Sequence, residues 1–382
     1  MIACARTRLA EAAATRIREI AAQPIDWSLL LRTAAVNSVL PLLARNLPVA
    51  APEAFTAEQF DQLRKAARAS GIRSLQLAAE LIRVMDLFCA EGVLALPYKG
   101  PALAAQAYSD LALREFEDLD ILLPQRDVAR AAAILADLSY KPRFPWVLSR
   151  EANSVLVPGE YNFADQERSM MIELHSERTL RHFPVMPDFD EMAKNLEPVR
   201  LSGREIKTFS AEDMLVLLCI HGSKDFWERL SWIADISEFV QSQPALDWDR
   251  VLRRAGRLKA QRMLYLGLAL AAQILEAPIP AHILKRADGD AVIRKQSAEI
   301  ERRHLSESGN MKMGAAWSFG YRRDMVPGFV AGWRYALRLA SAPAEEDWMM
   351  MKLPRALSPL YIFLRPLRLL RKHSSRTQLP TT

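Results

Sequence analysis

Through the first ninety residues, apolar positions recur at helical spacing. Alanine-rich amphipathic stretches cover Ala10 to Ala22, Trp27 to Arg45 and Ala57 to Ala90, with breaks at Pro24, Pro41 and the segment Leu47 to Pro52, where proline stops helices. In the last stretch Leu75, Ile82, Met85 and Cys89 repeat on one side, and Leu77, Leu81, Val84 and Phe88 widen that side into one long packed helix. The period then changes. Val93 to Tyr98 follows the Glu91-Gly92 turn as a short buried strand. Lys99-Gly100-Pro101 ends it, and Pro101 suits the first turn of a helix over Ala102 to Tyr108. A second strand is predicted over Asp118 to Leu123, followed by Pro124 and a helix from Gln125 to Ala136. Val155 to Val157 and Ser169 to His175 are further strands, and Val199 to Thr208 is a hairpin about Ser202-Gly203. From Ala211 the helical period returns, opened by Ser210 as N-cap with Glu212 and Asp213 in the first turn. It continues to about Leu339, broken at Pro278 to Pro280 and at Asp288 to Asp290. This plan predicts an α+β chain: a helical region over 1–90, an α/β core over 91–209, a helical region over 210–340 and a tail over 341–382.

Composition changes this picture little. At 382 residues, half apolar and a quarter charged, the chain can bury a substantial core. Three widely spaced cysteines, Cys4, Cys89 and Cys219, form neither a CxxC nor a disulfide framework, which points to a reducing, cytoplasmic compartment. No stretch reaches the roughly 18 apolar residues needed to span a bilayer. Charge matters more by location than by sum. The net value is +6, but from Lys352 onward the chain carries seven basic residues and no acid, which leaves the remainder near neutrality. The body therefore has no general nucleic-acid footprint, and extended nucleic acid is not an expected partner. Within the tail, residues 355–373 interleave Leu360, Ile362, Phe363 and Leu367 with Arg365, Arg368, Arg371 and Lys372. Such a segment can lie on an anionic membrane surface at the inner face, cover a partner, or dock on the protein's own core.

The candidate chemistry lies in the predicted strands. Asp118 and Asp120 are spaced i, i+2 in the run Asp118-Leu119-Asp120-Ile121-Leu122-Leu123. In a strand both carboxylates share one face, about 6–7 Å apart, while Leu119, Ile121 and Leu123 fill the other. Such a pair repels itself at neutral pH unless a cation sits between, and Mg²⁺ held by one or two carboxylates plus phosphates is the usual answer. Glu173 is a third acid in an apolar strand, Met171-Ile172-Glu173-Leu174-His175. If its strand lies beside the first, three carboxylates converge in a set able to hold two Mg²⁺ ions. The alternative is that Asp118 and Asp120 form the wet face of an edge strand.

Lys99-Gly100 with Leu103, Arg114 and Asp118 to Leu122, then Ile172 to His175, Glu212 to Leu215, and His221-Gly222 with Lys224, Trp227, Leu230, Trp232 and Asp235, resemble the uncharacterised bacterial nucleotidyltransferases of the polymerase-β-like superfamily. Asp347-Trp348, Leu353-Pro354-Arg355 and Arg365 to Arg368 extend the resemblance almost to the end. It implies a small mixed sheet flanked by helices, with Asp118, Asp120 and Glu173 as catalytic metal ligands. It also implies that Lys99 and Gly100 contact the triphosphate, and that the helix carrying His221 and Lys224 supplies further groups to it. Arg114 either neutralises the acidic cluster or a phosphate, or forms a structural salt bridge. His221 has the alternative of closing a helix C-terminus near Gly222, His175 that of a packed histidine and Lys99 that of a solvated loop lysine. Trp227 and Trp232 read as core, and Asp235 reads as a structural partner. Pro101, with no N–H, and Glu117, beside the aspartates, depart from the family pattern. The implied reaction moves a nucleoside monophosphate from an NTP to a hydroxyl or phosphate of a small-molecule, sugar or protein acceptor, with Mg²⁺ or Mn²⁺. The competing class is a nucleotide-binding or interaction protein recruited through its tail. Metal-dependent phosphoester hydrolysis is disfavoured by only six scattered histidines.

Overall fold

The computed structural model describes residues 1–108, 110–143, 160–176, 184–185, 189–306 and 314–341, with isolated positions at 357 and 360. The strand expected at Val155 to Val157 and nearly all of the tail lie outside the described residues.

Four helices open the chain: α1 (Glu11–Ala21), α2 (Trp27–Val36), α3 (Leu40–Ala50) and α4 (Ala57–Ala90). Asp26 caps α2 by accepting from the Leu29 N–H. The break after α2 falls at Asn37 to Val39, with Ser38 at φ +52°, and not at Pro41. Pro41 instead sits in the first turn of α3, where its missing N–H costs nothing. That helix runs on through Pro48 to Ala50, past the break expected at Leu47. A reciprocal Thr56–Gln59 capping box starts α4, whose stripe of Leu77, Leu81, Val84 and Phe88 is buried.

The middle of the chain builds a five-stranded mixed sheet. Its elements are β1 (Leu96–Pro97), α5 (Gly100–Ala107), β2 (Leu119–Leu122), α6 (Val128–Asp137), β3 (Lys141–Pro142), β4 (Glu160–Asp165) and β5 (Met170–His175). The strand order is β1-β2-β5-β4-β3, with β2 and β5 parallel and the other pairs antiparallel. Only Leu96 and Pro97 of the stretch Val93 to Tyr98 pair as a strand. After a short α7 (Phe189–Met192), β6 (Leu196–Leu201) and β7 (Arg204–Phe209) form the expected hairpin around Ser202-Gly203.

Helices return with α8 (Ala211–Lys224), α9 (Leu230–Ser242), α10 (Trp248–Arg257), α11 (Gln261–Leu275), α12 (Ala281–Gly289), α13 (Ala291–Leu305), α14 (Ala315–Asp324) and α15 (Phe329–Ser341). The Ser210 side chain accepts from the Asp213 N–H and starts α8. Among the described residues no helix is long and apolar enough to cross a membrane.

Two cores result. One packs Leu119, Ile121, Leu123, Ile172, Leu174, Tyr161 and Phe163 of the sheet against α4 and α6. The other joins α1, α3 and α5 to α8, α9 and α11. Each fully buried leucine here stabilises the fold by about 1.5–3 kcal/mol. The opposite face of β2 and β5 carries Asp120, Glu173 and His175, and Asp120 shares a cavity with His221 of α8 and Trp232 of α9.

Candidate active site

Strand alternation places the acids. With Leu119 and Ile121 committed to the α4–α6 core, Asp120 must face the other way. The parallel register sets Asp120 directly opposite Glu173, with His175 opposite Leu122 two residues further along the same face of β5. One carboxylate oxygen each from Asp120 and Glu173 and one ring nitrogen of His175 lie within 4.8 Å of one another. The expected convergence of the two strands is thus met. Asp118, the residue before β2, is not part of that compact group, but lines the same cleft as Asp120.

The two aspartates have opposite electrostatic situations. Asp120 is 5% exposed, and its Oδ1 lies 2.8 Å from Lys99 Nζ and 2.9 Å from His175 Nε2. Burial alone would raise its pKa. Lys99 foremost, then His175, overcome that and hold the carboxyl well below the usual range. Asp118 makes no hydrogen bond or ion pair among the described residues. Burial, then the neighbouring Asp120 and Glu173 charges, push its pKa up to about 7. His175 is the converse case: burial opposes its charge, but hydrogen bonds to Asp120 and Glu173 raise its pKa to about 9. At neutral pH it is an imidazolium that donates to Asp120. The Tyr98 ring meets its edge at 5.6 Å.

Gly100 begins α5 at φ +52°, and a Cβ there would stand 3.4 Å from the Asp118 carbonyl oxygen. Its lack of a side chain lets the turn after β1 press against the start of β2. The cleft beyond has a volume of about 430 Å³. Lys99, Gly100, Arg114, Asp118, Asp120 and His221 all line it; Lys224 does not, and neither do Glu173 and His175. Lys99 is therefore no solvated loop residue. Arg114 reaches the cleft wall but makes a two-pronged bond to Asp235, at 2.8 and 2.9 Å, while Tyr108 donates to the same carboxylate at 2.8 Å. His221 lies in the last turn of α8 with Nδ1 3.7 Å from Asp225, and burial, then the Lys99 charge, keeps it neutral. Trp227 is core, 1% exposed against Gly222 and Gly267. Trp232, expected in the core as well, is half-buried on the cleft wall.

Carboxylate oxygens are ligands for Mg²⁺ or Mn²⁺, and an unpaired Asp118 beside ionised Asp120, opposite Glu173, leaves negative charge for a cation to neutralise. The donor set fits such an ion. His175, whose ring nitrogen lies in the same compact group, can join as a ligand once it gives up its proton.

The site thus sets Asp120 of β2 opposite Glu173 of β5, with Asp118 just before β2 and the Gly100 turn against it. Residues 23–276, more than half of the chain, match the family described as uncharacterised nucleotidyltransferases, and the chain belongs to that family. No curated protein matches it.

Proposed function

We propose that the protein transfers a nucleoside monophosphate from an NTP to a hydroxyl or phosphate of a small-molecule, sugar or protein acceptor and releases pyrophosphate. The observation that carries this reading is the pairing of Asp120 with Glu173 across parallel strands, with Asp118 unpaired at the head of the same cleft as Lys99 and Gly100. Asp118, Asp120 and Glu173 are the proposed ligands of Mg²⁺, with Mn²⁺ able to replace it. When bound, the ion neutralises phosphate charge and lowers the pKa of the acceptor oxygen.

The chain's own residues do the rest. Lys99 and Gly100 hold the triphosphate, Gly100 through close backbone approach. The Lys99 ammonium and the His175 imidazolium keep Asp120 ionised whatever the load on Asp118. Glu173, opposite Asp120 across the parallel strands, would hold the ion at the acceptor oxygen. Arg114, fixed by Asp235, presents one edge to the phosphates, and His221 offers a neutral ring nitrogen. Lys224 acts at longer range. Little covalent work is asked of the protein, because positioning and charge neutralisation supply most of the barrier reduction.

We also assign the middle region 91–209 as the catalytic unit between helical regions 1–90 and 210–340. Residues 355–373 are a proposed peripheral contact with an anionic inner membrane surface. In support, α15, which precedes them in the sequence, exposes Phe329, Val330 and Leu337.

The test is incubation with each labelled NTP and Mg²⁺ in the presence of lysate acceptors, with pyrophosphate release and self-labelling measured. Wild type gives signal and Asp120→Ala does not; equal signals from both, or none from either, overturn transfer. A second reading, nucleotide binding without transfer, is favoured by the neutralisation of Asp120 by Lys99 and His175. It predicts NTP binding with no effect of Mg²⁺ on affinity.

A further inference from the structure

Two chemically different sets of side chains line the cleft. One is Asp118, Asp120, Lys99 and Gly100. The other is Ser38 just after α2, with Arg229, Ser231 and Trp232 at the start of α9. Both belong to one continuous cavity of about 430 Å³, a size that suits one small-molecule ligand.

The second set offers an aromatic face as well as a cation. The half-buried Trp232 indole lines the cavity, whereas Trp227 five residues earlier is absorbed into the core. The Arg229 guanidinium lies 5.9 Å from the Trp232 ring centroid. Arg229 donates to Ser38 Oγ at 3.5 Å and interacts with the Glu115 carboxylate of the same cleft, but makes no ion pair among the described residues. By contrast, Lys99 and Arg114 are already bound to Asp120 and Asp235. On the other side, the His221 ring meets Trp232 at 5.2 Å and 74°, which fixes the indole against α8. A flat indole, a flat guanidinium and the hydroxyls of Ser38 and Ser231 match a heteroaromatic ring with hydrogen-bonding edges. A ring can lie on either plane and be read at its rim by the hydroxyls.

We propose that Trp232, together with Arg229 and Ser38, receives the nucleobase of the nucleoside triphosphate. The assignment rests on the nucleotidyl-transfer reading above, in which Lys99 and Gly100 hold the phosphates and leave the base for the Trp232 part of the same cavity. Trp232 is then a specificity-determining residue, without contact to the reacting phosphorus.

Calorimetric titration separates base from phosphate. Wild type, Trp232→Ala and Trp232→Phe are each titrated with ATP, GTP, CTP, UTP and inorganic tripolyphosphate, all with Mg²⁺. Wild type binds at least one NTP about ten- to a hundredfold more tightly than tripolyphosphate, the range that stacking on an aromatic ring supplies. Trp232→Ala brings that NTP to within about twofold of tripolyphosphate, whose own affinity is unchanged. Trp232→Phe keeps most of the advantage. The proposal is overturned if Trp232→Ala retains the NTP preference, if it loses NTP and tripolyphosphate alike, or if wild type binds the two equally. Wild type that binds neither would instead sink the nucleotidyl-transfer reading itself.

Discussion

Two buried acidic clusters sit on opposite faces of the five-stranded sheet, and their difference separates a site from a brace. On the α4 side, Glu80 is 6% exposed and fully engaged. Arg83 donates to both its oxygens, Arg168 donates at 3.1 Å and Tyr140 at 2.9 Å. Asp165 next to it takes the Arg168 side chain and the backbone N–H groups of Glu167 and Arg168. On the cleft side Asp120 is as deeply buried, at 5%, and also holds two cations, yet its neighbours are not satisfied. Asp118 has no partner among the described residues, and the nearest ion-pair partner of Glu173 is His175 at 3.5 Å. The two central carboxylates are alike in burial, and each holds two basic side chains. What differs is acceptor capacity left over beside an open cavity, and that surplus is what a metal and a triphosphate would use.

Removing the anchor of each cluster should break the comparison most sharply. Asp120→Ala leaves Lys99 and His175 buried without their counter-charge, at a cost of about 3–5 kcal/mol in stability, and lowers transfer on the order of a thousandfold. Glu80→Ala strands Arg83 and Arg168 but is more exposed to solvent relief, so its cost is about 2–4 kcal/mol, with transfer per folded molecule unchanged. Urea melts paired with pyrophosphate release on the folded fraction check both. A large activity loss in Glu80→Ala would show that the brace is part of the site.

Asp118→Asn should separate the two faces in sign. Without metal, the native carboxyl is a repulsive charge held beside Asp120 and Glu173, so its removal stabilises the fold by about 1–3 kcal/mol at pH 8. The same change lowers transfer on the order of a hundredfold. No substitution at Glu80 or Asp165 should stabilise. Thermal melts in EDTA read the gain, and saturating Mg²⁺ should reduce it by stabilising wild type preferentially. A destabilised Asp118→Asn would mean that the carboxylate has a structural partner after all.

The cleft cluster was largely legible in the sequence and the brace was not, for a physical reason. Asp118, Asp120 and Glu173 are acids in apolar strands, where alternation leaves them one face and no local partner. The register that joins them needed only the two strands to be neighbours. Glu80 lies in a long charged helix, where an acid reads as solvated; its partners Tyr140 and Arg168 arrive from 60 and 88 residues away. The strands that bring them were also missed, because Lys141-Pro142 is only two residues long and Glu160 to Asp165 is polar. His175 could have been placed from the same alternation as Glu173, since it stands two residues further on the same face. Arg114 and Asp235 were each open to a structural salt bridge, but nothing local ties residues 121 apart. Trp232 packs against the core as aromatic residues at helical spacing usually do, but only in part, and its place on the cleft wall had no local signal. Its neighbour Trp227 does so fully, enclosed by Gly222 and Gly267, and leaves Trp232 for the wall.

The smallest expected effect, the pH dependence of metal-free stability, sharpens the same contrast. Asp118 titrates at about 7 in the folded protein, against about 3.9 in an unfolded chain, so the folded state binds the extra proton between those values. Its favourable contribution is complete below pH 4 and is lost as the pH rises through 7, with a slope of at most about 1.4 kcal/mol per pH unit. Glu80 behaves oppositely. Burial works against its charge, but Arg83 first, then Tyr140 and Arg168, lower its pKa below the unfolded value. Its contribution is therefore constant above about pH 5 and fades only as the pH falls through its folded pKa. Urea midpoints in EDTA between pH 5.5 and 8 should decline more steeply for wild type than for Asp118→Asn, and Glu80→Gln should keep the wild-type slope. Parallel slopes for wild type and Asp118→Asn would place the unpaired charge elsewhere in the cleft.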